Sequence, residues 1–248
     1  MTRLAELYRA ANNPDEVLVY DLYAGAGGVG LALETLDLAH VGFDIDGGKC
    51  EKYPGAFFEV DCSDSANIPE KLPSPDVVWA SPPCKAYSTV SNINHDDPRD
   101  VYPTIANLDV REVINALDPE EYIIENVATC EDLKGPAKVN GLAFDAPYRL
   151  ERHFETSFHV PNALAAGQPE QSMCVDNPTG RRKGPLADAK DVPRAWTREE
   201  VRSAIPQPYV QYLMYYCPAV DDVPLPASLE TRQTLLVDSR TSAGDGDV

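Results

Sequence analysis

Val17-Leu18-Val19-Tyr20-Asp21-Leu22-Tyr23-Ala24-Gly25-Ala26-Gly27-Gly28-Val29-Gly30 runs from a continuous apolar strand, through a glycine turn, towards a helix over Val29–Leu36. An unbroken apolar run suits a strand buried on both faces of a parallel sheet. Strand, glycine turn and helix in that order open a nucleotide-binding α/β unit. The glycines let backbone approach a ligand closely, and the helix N-terminus favours negative charge. On these residues alone a nicotinamide-dependent dehydrogenase fits equally well.

Downstream, His40–Phe43 predicts a second strand ending in Asp44, nineteen residues after Gly25 and suited to accept from two ribose hydroxyls. Ala56–Val60 predicts a third, ending in Asp61 and Cys62, where the acid suits an adenine amino group. Val77–Ala80 is the fourth, running into Ser81-Pro82-Pro83-Cys84-Lys85-Ala86-Tyr87-Ser88. Two prolines stiffen this turn and direct the thiol, so Cys84 reads as a nucleophile or as a small buried apolar residue. Ala106, Val110, Val113, Ile114 and Leu117 share one helical face, which Asp118-Pro119 ends. Tyr122–Ile124 predicts a fifth strand running into Glu125-Asn126-Val127. Alternating strands and helices predict a mainly parallel sheet flanked by helices, with the glycine turn, Asp44, Asp61, Cys84 and Glu125 at one edge.

Taken together and in order, these segments resemble the C5-cytosine-specific DNA methyltransferases, most of all their compact phage and prophage members. Asp21–Gly28 resembles the first family motif, Ser81–Cys84 the nucleophile motif, Glu125-Asn126-Val127 the acid motif, Arg149–Arg152 the arginine motif, and Ala204-Ile205-Pro206 the last one. The chain departs from the pattern at Tyr23, at Lys85, and at Tyr148 and Leu150, so only Arg152 takes the arginine role. The resemblance implies a Rossmann-like S-adenosylmethionine-dependent fold and three catalytic residues, Cys84, Glu125 and Arg152. It implies a cofactor against Tyr23, Ala24, Gly25, Gly27 and Gly28, with Asp44 at its ribose and Asp61 at its adenine. Ile45, Cys62, Pro82, Ala204 and Ile205 complete that site. The implied partner is double-stranded DNA, contacted through Ser88, Asn126, Arg149 and the basic cluster Arg181, Arg182 and Lys183. Rival readings are an RNA cytosine-5 methyltransferase on the same fold, an oxidoreductase, and a non-catalytic DNA-binding relic.

The boundaries expected are a catalytic and cofactor-binding domain over 1–158 and a small loop-rich recognition insert over 159–195. A segment over 196–218 returns to the catalytic domain, and a polar acidic tail follows over 219–248. Thr197-x-x-Glu200 predicts a capping box, and Tyr209–Tyr216 a last helix. Thr2–Ala11 also has helical spacing.

Six scattered cysteines without a C-x-x-C pair, and four histidines, predict free thiols and no metal site. No apolar run reaches membrane length and no signal segment opens the chain, so a cytoplasmic protein with no membrane partner is expected. A monomer is expected, and the resemblance allows a cognate restriction enzyme as partner. The net charge of -19 suits a salt-rich cytoplasm, and it requires that any grip on nucleic acid come from a local basic patch.

Overall fold

The computed structural model describes residues 16–49, 51–88, 91, 95–166, 175 and 180–230, with the side chains of 181 and 182 left aside. The helix expected over Thr2–Ala11 and the tail from 231 onward lie outside these residues. Seven strands form one sheet in the order β3-β2-β1-β4-β5-β7-β6. β1 (Leu18–Leu22), β2 (Ala39–Asp44), β3 (Ala56–Glu59), β4 (Val77–Ala80) and β5 (Glu121–Val127) are mutually parallel. β6 (Ala137–Asn140) and β7 (Glu151–Thr156) join antiparallel, β7 pairing with both β5 and β6. The strand order reverses between β1 and β4, where open α/β sheets leave a crevice for ligands.

β1 is buried along its whole length, as its apolar run predicts. Its alternate residues serve two cores. Val19 packs with Val77, Trp79 and Ile123 beneath α1 (Gly28–Thr35), while Leu18, Tyr20 and Leu22 pack with Val78, Ala80 and Ile124 beneath α2 (Val110–Leu117). The result is a sheet between two helical layers.

Three local expectations are corrected. α2 begins at Val110 rather than Ala106, because Asn107 closes a turn on Thr104 and Asp109 takes a left-handed φ of 45°. β5 continues through Val127, so Glu125 and Asn126 stand inside a strand; antiparallel pairing with β7 supplies the backbone partners that extend it. The insert is less loop-like than its composition suggests. α3 (Gly180–Lys190) is an eleven-residue helix that carries Pro185 inside it. Its Leu186 and Ala187 form a third core with Ala26, Tyr148, Trp196, Val201 and Ala204. α4 (Arg198–Ser203) follows, with the predicted capping box between Thr197 and Glu200, and then α5 (Gln207–Tyr216).

Candidate active site

The turn after β1 is held in an unusual backbone shape. Tyr23 has φ 59°, Gly25 φ 57° and Gly27 φ 95°. A bulky non-glycine residue in the left-handed region is strained, and such strain gathers at ligand sites. A Cβ on Gly25 would meet open space, whereas one on Gly28 would lie 3.1 Å from Ile205 N and 3.2 Å from Ala204 Cβ. The first glycine therefore opens the turn to a ligand, and Gly28 lets the loop after α4 settle on α1.

Asp44 organises this turn. Its Oδ2 accepts from Gly25 N at 2.8 Å and its Oδ1 from Asp46 N at 2.9 Å. A carboxylate has lone pairs beyond these two bonds, so acceptance from a ribose remains chemically open. Beside it Ile45 is 69% exposed, a large apolar side chain turned into the cleft. Asp61 accepts from Ser63 N and Oγ, which holds its carboxyl below the usual range. Cys62 is buried, with its thiol towards the Phe43 carbonyl and pushed up to about 12 by burial.

The second half of the site rests on the β4–β5–β7 register. Val127 pairs with Arg152, so Glu125 and Arg152 are diagonal neighbours on one face. Arg152 Nε meets Glu125 Oε1 at 3.0 Å. Burial pushes the Glu125 carboxyl up to about 7; the guanidinium of Arg152 and the ammonium of Lys190 work against that rise. Cys84 is exposed at the mouth of the turn, but crowding around its sulfur and the Glu125 carboxylate push its thiol up, with Arg152 opposing. Pro82 offers no N–H, and its carbonyl accepts from Asn126 Nδ2 at 3.2 Å.

Most of these groups line one cleft of about 670 Å³. It contains Gly25, Asp44, Ile45, Asp61 and Cys62 on one side and Cys84, Glu125 and Arg152 on the other. Residues 17–140 match the C-5 cytosine-specific DNA methylase family. The chain belongs to that family.

Solved structures with partial likeness include a candidate DNA modification methyltransferase encoded within an E. coli prophage (15% identity, 62% of this chain and 53% of that one, TM-score 0.44). Others are the Entamoeba histolytica methyltransferase EhMeth (16%, 65% and 59%, 0.45) and Spodoptera frugiperda DNMT2 (16%, 71% and 65%, 0.44). The chain thus spans just over half the length of the prophage protein. No curated protein matches it in sequence.

In this methylase-family chain the cleft gathers all three catalytic candidates. It gathers every cofactor candidate except Gly27, whose Cβ position faces Pro54 and Tyr53 instead. Of the nucleic-acid candidates with described side chains, none lines the cleft. Asn126, a DNA candidate by sequence, is wholly buried, its Oδ1 accepting from Val127 N and its Nδ2 donating to the Pro82 carbonyl. Arg149 is exposed and Ser88 half-buried, both outside the cleft lining. Lys183 is half-buried and donates to Trp196 O at 2.7 Å. The side chains of Arg181 and Arg182 lie outside the described residues.

Two residues escaped the sequence reading. Tyr87 is buried and fixes the Cys84 turn: its hydroxyl donates to Asp132 at 2.6 Å and accepts from Ile105 N at 2.7 Å, while its carbonyl accepts from Thr129. Asp21, the first residue of the first motif, is wholly buried and lines the cleft, with no hydrogen bond to either carboxylate oxygen. Burial pushes its carboxyl well up, and the hydroxyl of buried Tyr53 is its closest electrostatic companion. Only the apolar context of Asp21 in β1 could have flagged it.

S-adenosylmethionine fits what these residues offer. Ile45 suits the face of a flat ring, and Gly25 leaves room for close approach. Leaving aside Asp21 and Glu125, whose carboxyls burial pushes up, five acids line the cleft (Asp44, Asp46, Asp61, Glu199, Glu200) against Lys49 and Arg152. That balance repels the pyrophosphate of a nicotinamide dinucleotide. Among the described residues no group of His, Cys, Asp and Glu is placed to hold a metal, and no helix is long and apolar enough to cross a membrane.

Proposed function

We propose that this chain transfers a methyl group from S-adenosylmethionine to C5 of cytosine in DNA, through a covalent adduct between Cys84 and C6 of the base. The observation that carries this reading is the single cleft that joins the glycine turn, Asp44 and Ile45 to Cys84, Glu125 and Arg152. When bound, the cofactor supplies an electrophilic methyl group on sulfonium sulfur.

C5 of cytosine is a weak nucleophile until a thiolate adds at C6. Cys84, on its proline-stiffened turn, is that thiolate. The base must leave the duplex stack to reach it. Glu125, with its carboxyl raised to about 7, holds a proton near neutral pH and donates it towards N3 as sulfur adds. Arg152 presents donors to O2 and orients Glu125. Protonation of Glu125 also removes the negative charge that holds the Cys84 proton on, so the acid and the nucleophile favour each other's working state. Loss of the C5 proton with elimination of Cys84 restores the aromatic ring.

In this proposal residues 159–195 are the target-recognition insert, and the enzyme is a cytoplasmic monomer acting on double-stranded DNA. The test is incubation with tritiated S-adenosylmethionine and either duplex DNA or tRNA, at low and molar KCl, beside Cys84→Ser. Label in DNA that disappears in the variant is expected. Label in tRNA alone reassigns the substrate, and label in neither sinks the reading. A duplex containing 5-fluorocytosine should trap the wild-type chain and not Cys84→Ser.

A further inference from the structure

Lys190 is the last residue of α3 and is wholly buried. A lysine ammonium is almost never fully buried without partners. Its Nζ donates to Arg202 O and Ala204 O, each at 2.8 Å. These carbonyls stand at the end of α4, where intrahelical donors run out and a cation is favoured. The backbone thus held is the one that presses on α1: Ala204 and Ile205 fill the space that a side chain at Gly28 would occupy. Seven residues earlier on the same helix, Lys183 donates to Trp196 O. Two lysines of α3 therefore hold both ends of the Trp196–Ala204 segment, which supplies Trp196, Glu200, Ser203 and Ala204 to the cleft.

Among the described residues, the charged or titratable groups acting on Glu125 come from three elements. Arg152 comes from β7, Cys84 from the turn after β4, and Lys190 from the end of α3; Arg202 of α4 acts on Cys84 in turn. The motifs of the family account for the first two. Lys190 lies in none of the segments that carry the resemblance.

We propose that Lys190 is a positioning residue for methyl transfer: its ammonium holds the Arg202–Ala204 backbone against the glycine turn, so shaping the cofactor side of the cleft, and adds a second positive charge to the surroundings of Glu125. The inference rests on the function proposed above. It makes α3, which lies within the recognition insert, the strut between that insert and the catalytic acid.

Two variants of the full chain separate the parts. Lys190→Met removes both the donors and the charge, and Lys190→Gln keeps an N–H donor without the charge. Calorimetry with S-adenosylmethionine should show binding weakened at least about tenfold in Lys190→Met, and less in Lys190→Gln. Carbon-detected NMR of the Glu125 carboxyl, assigned with Glu125→Gln, should show it titrating at higher pH than wild type in both variants, because a positive charge favouring the carboxylate is gone. A residue with a merely structural role would leave that titration where it is. Should Lys190→Met fail to fold, Lys190→Gln carries both readouts. Cooperatively folded variants that bind the cofactor like wild type and leave the Glu125 titration unmoved would overturn the proposal. If the wild-type chain binds no S-adenosylmethionine, the methyltransferase reading falls, while the NMR titration still decides whether Lys190 acts on Glu125.

Discussion

Glu125 takes up its proton near 4.5 as a free side chain and at about 7 in the fold. The folded state therefore holds this proton more tightly than the unfolded chain. Its contribution to stability is fully present below pH 4.5 and is lost as pH rises through 7. Glutamine is isosteric with the protonated acid and does not titrate. Between pH 4.5 and 8 the wild-type chain should thus lose about 3 kcal/mol relative to Glu125→Gln. Urea unfolding of both proteins at the two pH values measures this, and parallel pH profiles would show that burial does not hold the proton on. Glu125 was legible as the candidate acid in Glu-Asn-Val. Its proton affinity was not, because burial and the 3.0 Å contact with Arg152 join residues far apart in sequence.

The glycines of the first motif divide their work between elements. Gly25 faces open space, but a Cβ on Gly30 would come within 2.7 Å of the Tyr53 ring and one on Gly42 within 2.6 Å. Tyr53, wholly buried, is thus wedged between α1 and β2 through missing side chains. Gly30→Ala should lower stability by about 1–3 kcal/mol through overpacking. Gly25→Ala should cost only about 1–2 kcal/mol of backbone strain and act mainly on cofactor binding. Chemical denaturation beside cofactor titration separates the two. The G-x-G-x-x-G spacing revealed the turn, but nothing in it said that its last glycine serves a tyrosine. A second inter-element tie is the paired Arg111 of α2 and Glu155 of β7, with Nε to Oε1 at 2.9 Å and a further bond to Lys134 N. Glu155 is 2% exposed. Glu155→Ala leaves half-buried Arg111 with only the Asp132 carbonyl and takes the acceptor from Lys134 N, and should cost about 1–3 kcal/mol, seen as a lowered urea midpoint. Neither residue stood out in the sequence, since each alone reads as an ordinary surface charge.

Over the whole molecule, forty acids oppose twenty-one bases. Self-repulsion among so many like charges weakens as the screening length falls from about 10 Å at 0.1 M salt to about 3 Å at 1 M. The thermal unfolding midpoint should rise from about 0.1 M to about 1 M KCl. A flat or falling midpoint in calorimetry would remove the link between this composition and a salt-rich cytoplasm. The same charge explains why the site recruits its few cations inward. Arg152, Lys183 and Lys190 all bond to internal partners instead of lying on a basic surface.

The sequence by itself determined the five parallel strands, the order in which they deliver the glycine turn, Asp44, Asp61, Cys84 and Glu125, and the family to which those motifs belong. These are local properties: apolar runs, proline and glycine turns, and spacing along one chain. Tertiary structure alone decided the antiparallel entry of β6 and β7, and with it the register that sets Arg152 diagonally beside Glu125. It also decided that Asn126 faces inward, that Asp21 lies in the cleft, and that Lys190 at the end of a proline-containing helix holds the loop over α1. Each of these depends on contacts between segments far apart in sequence, where burial and charge are set by neighbours that no single stretch contains.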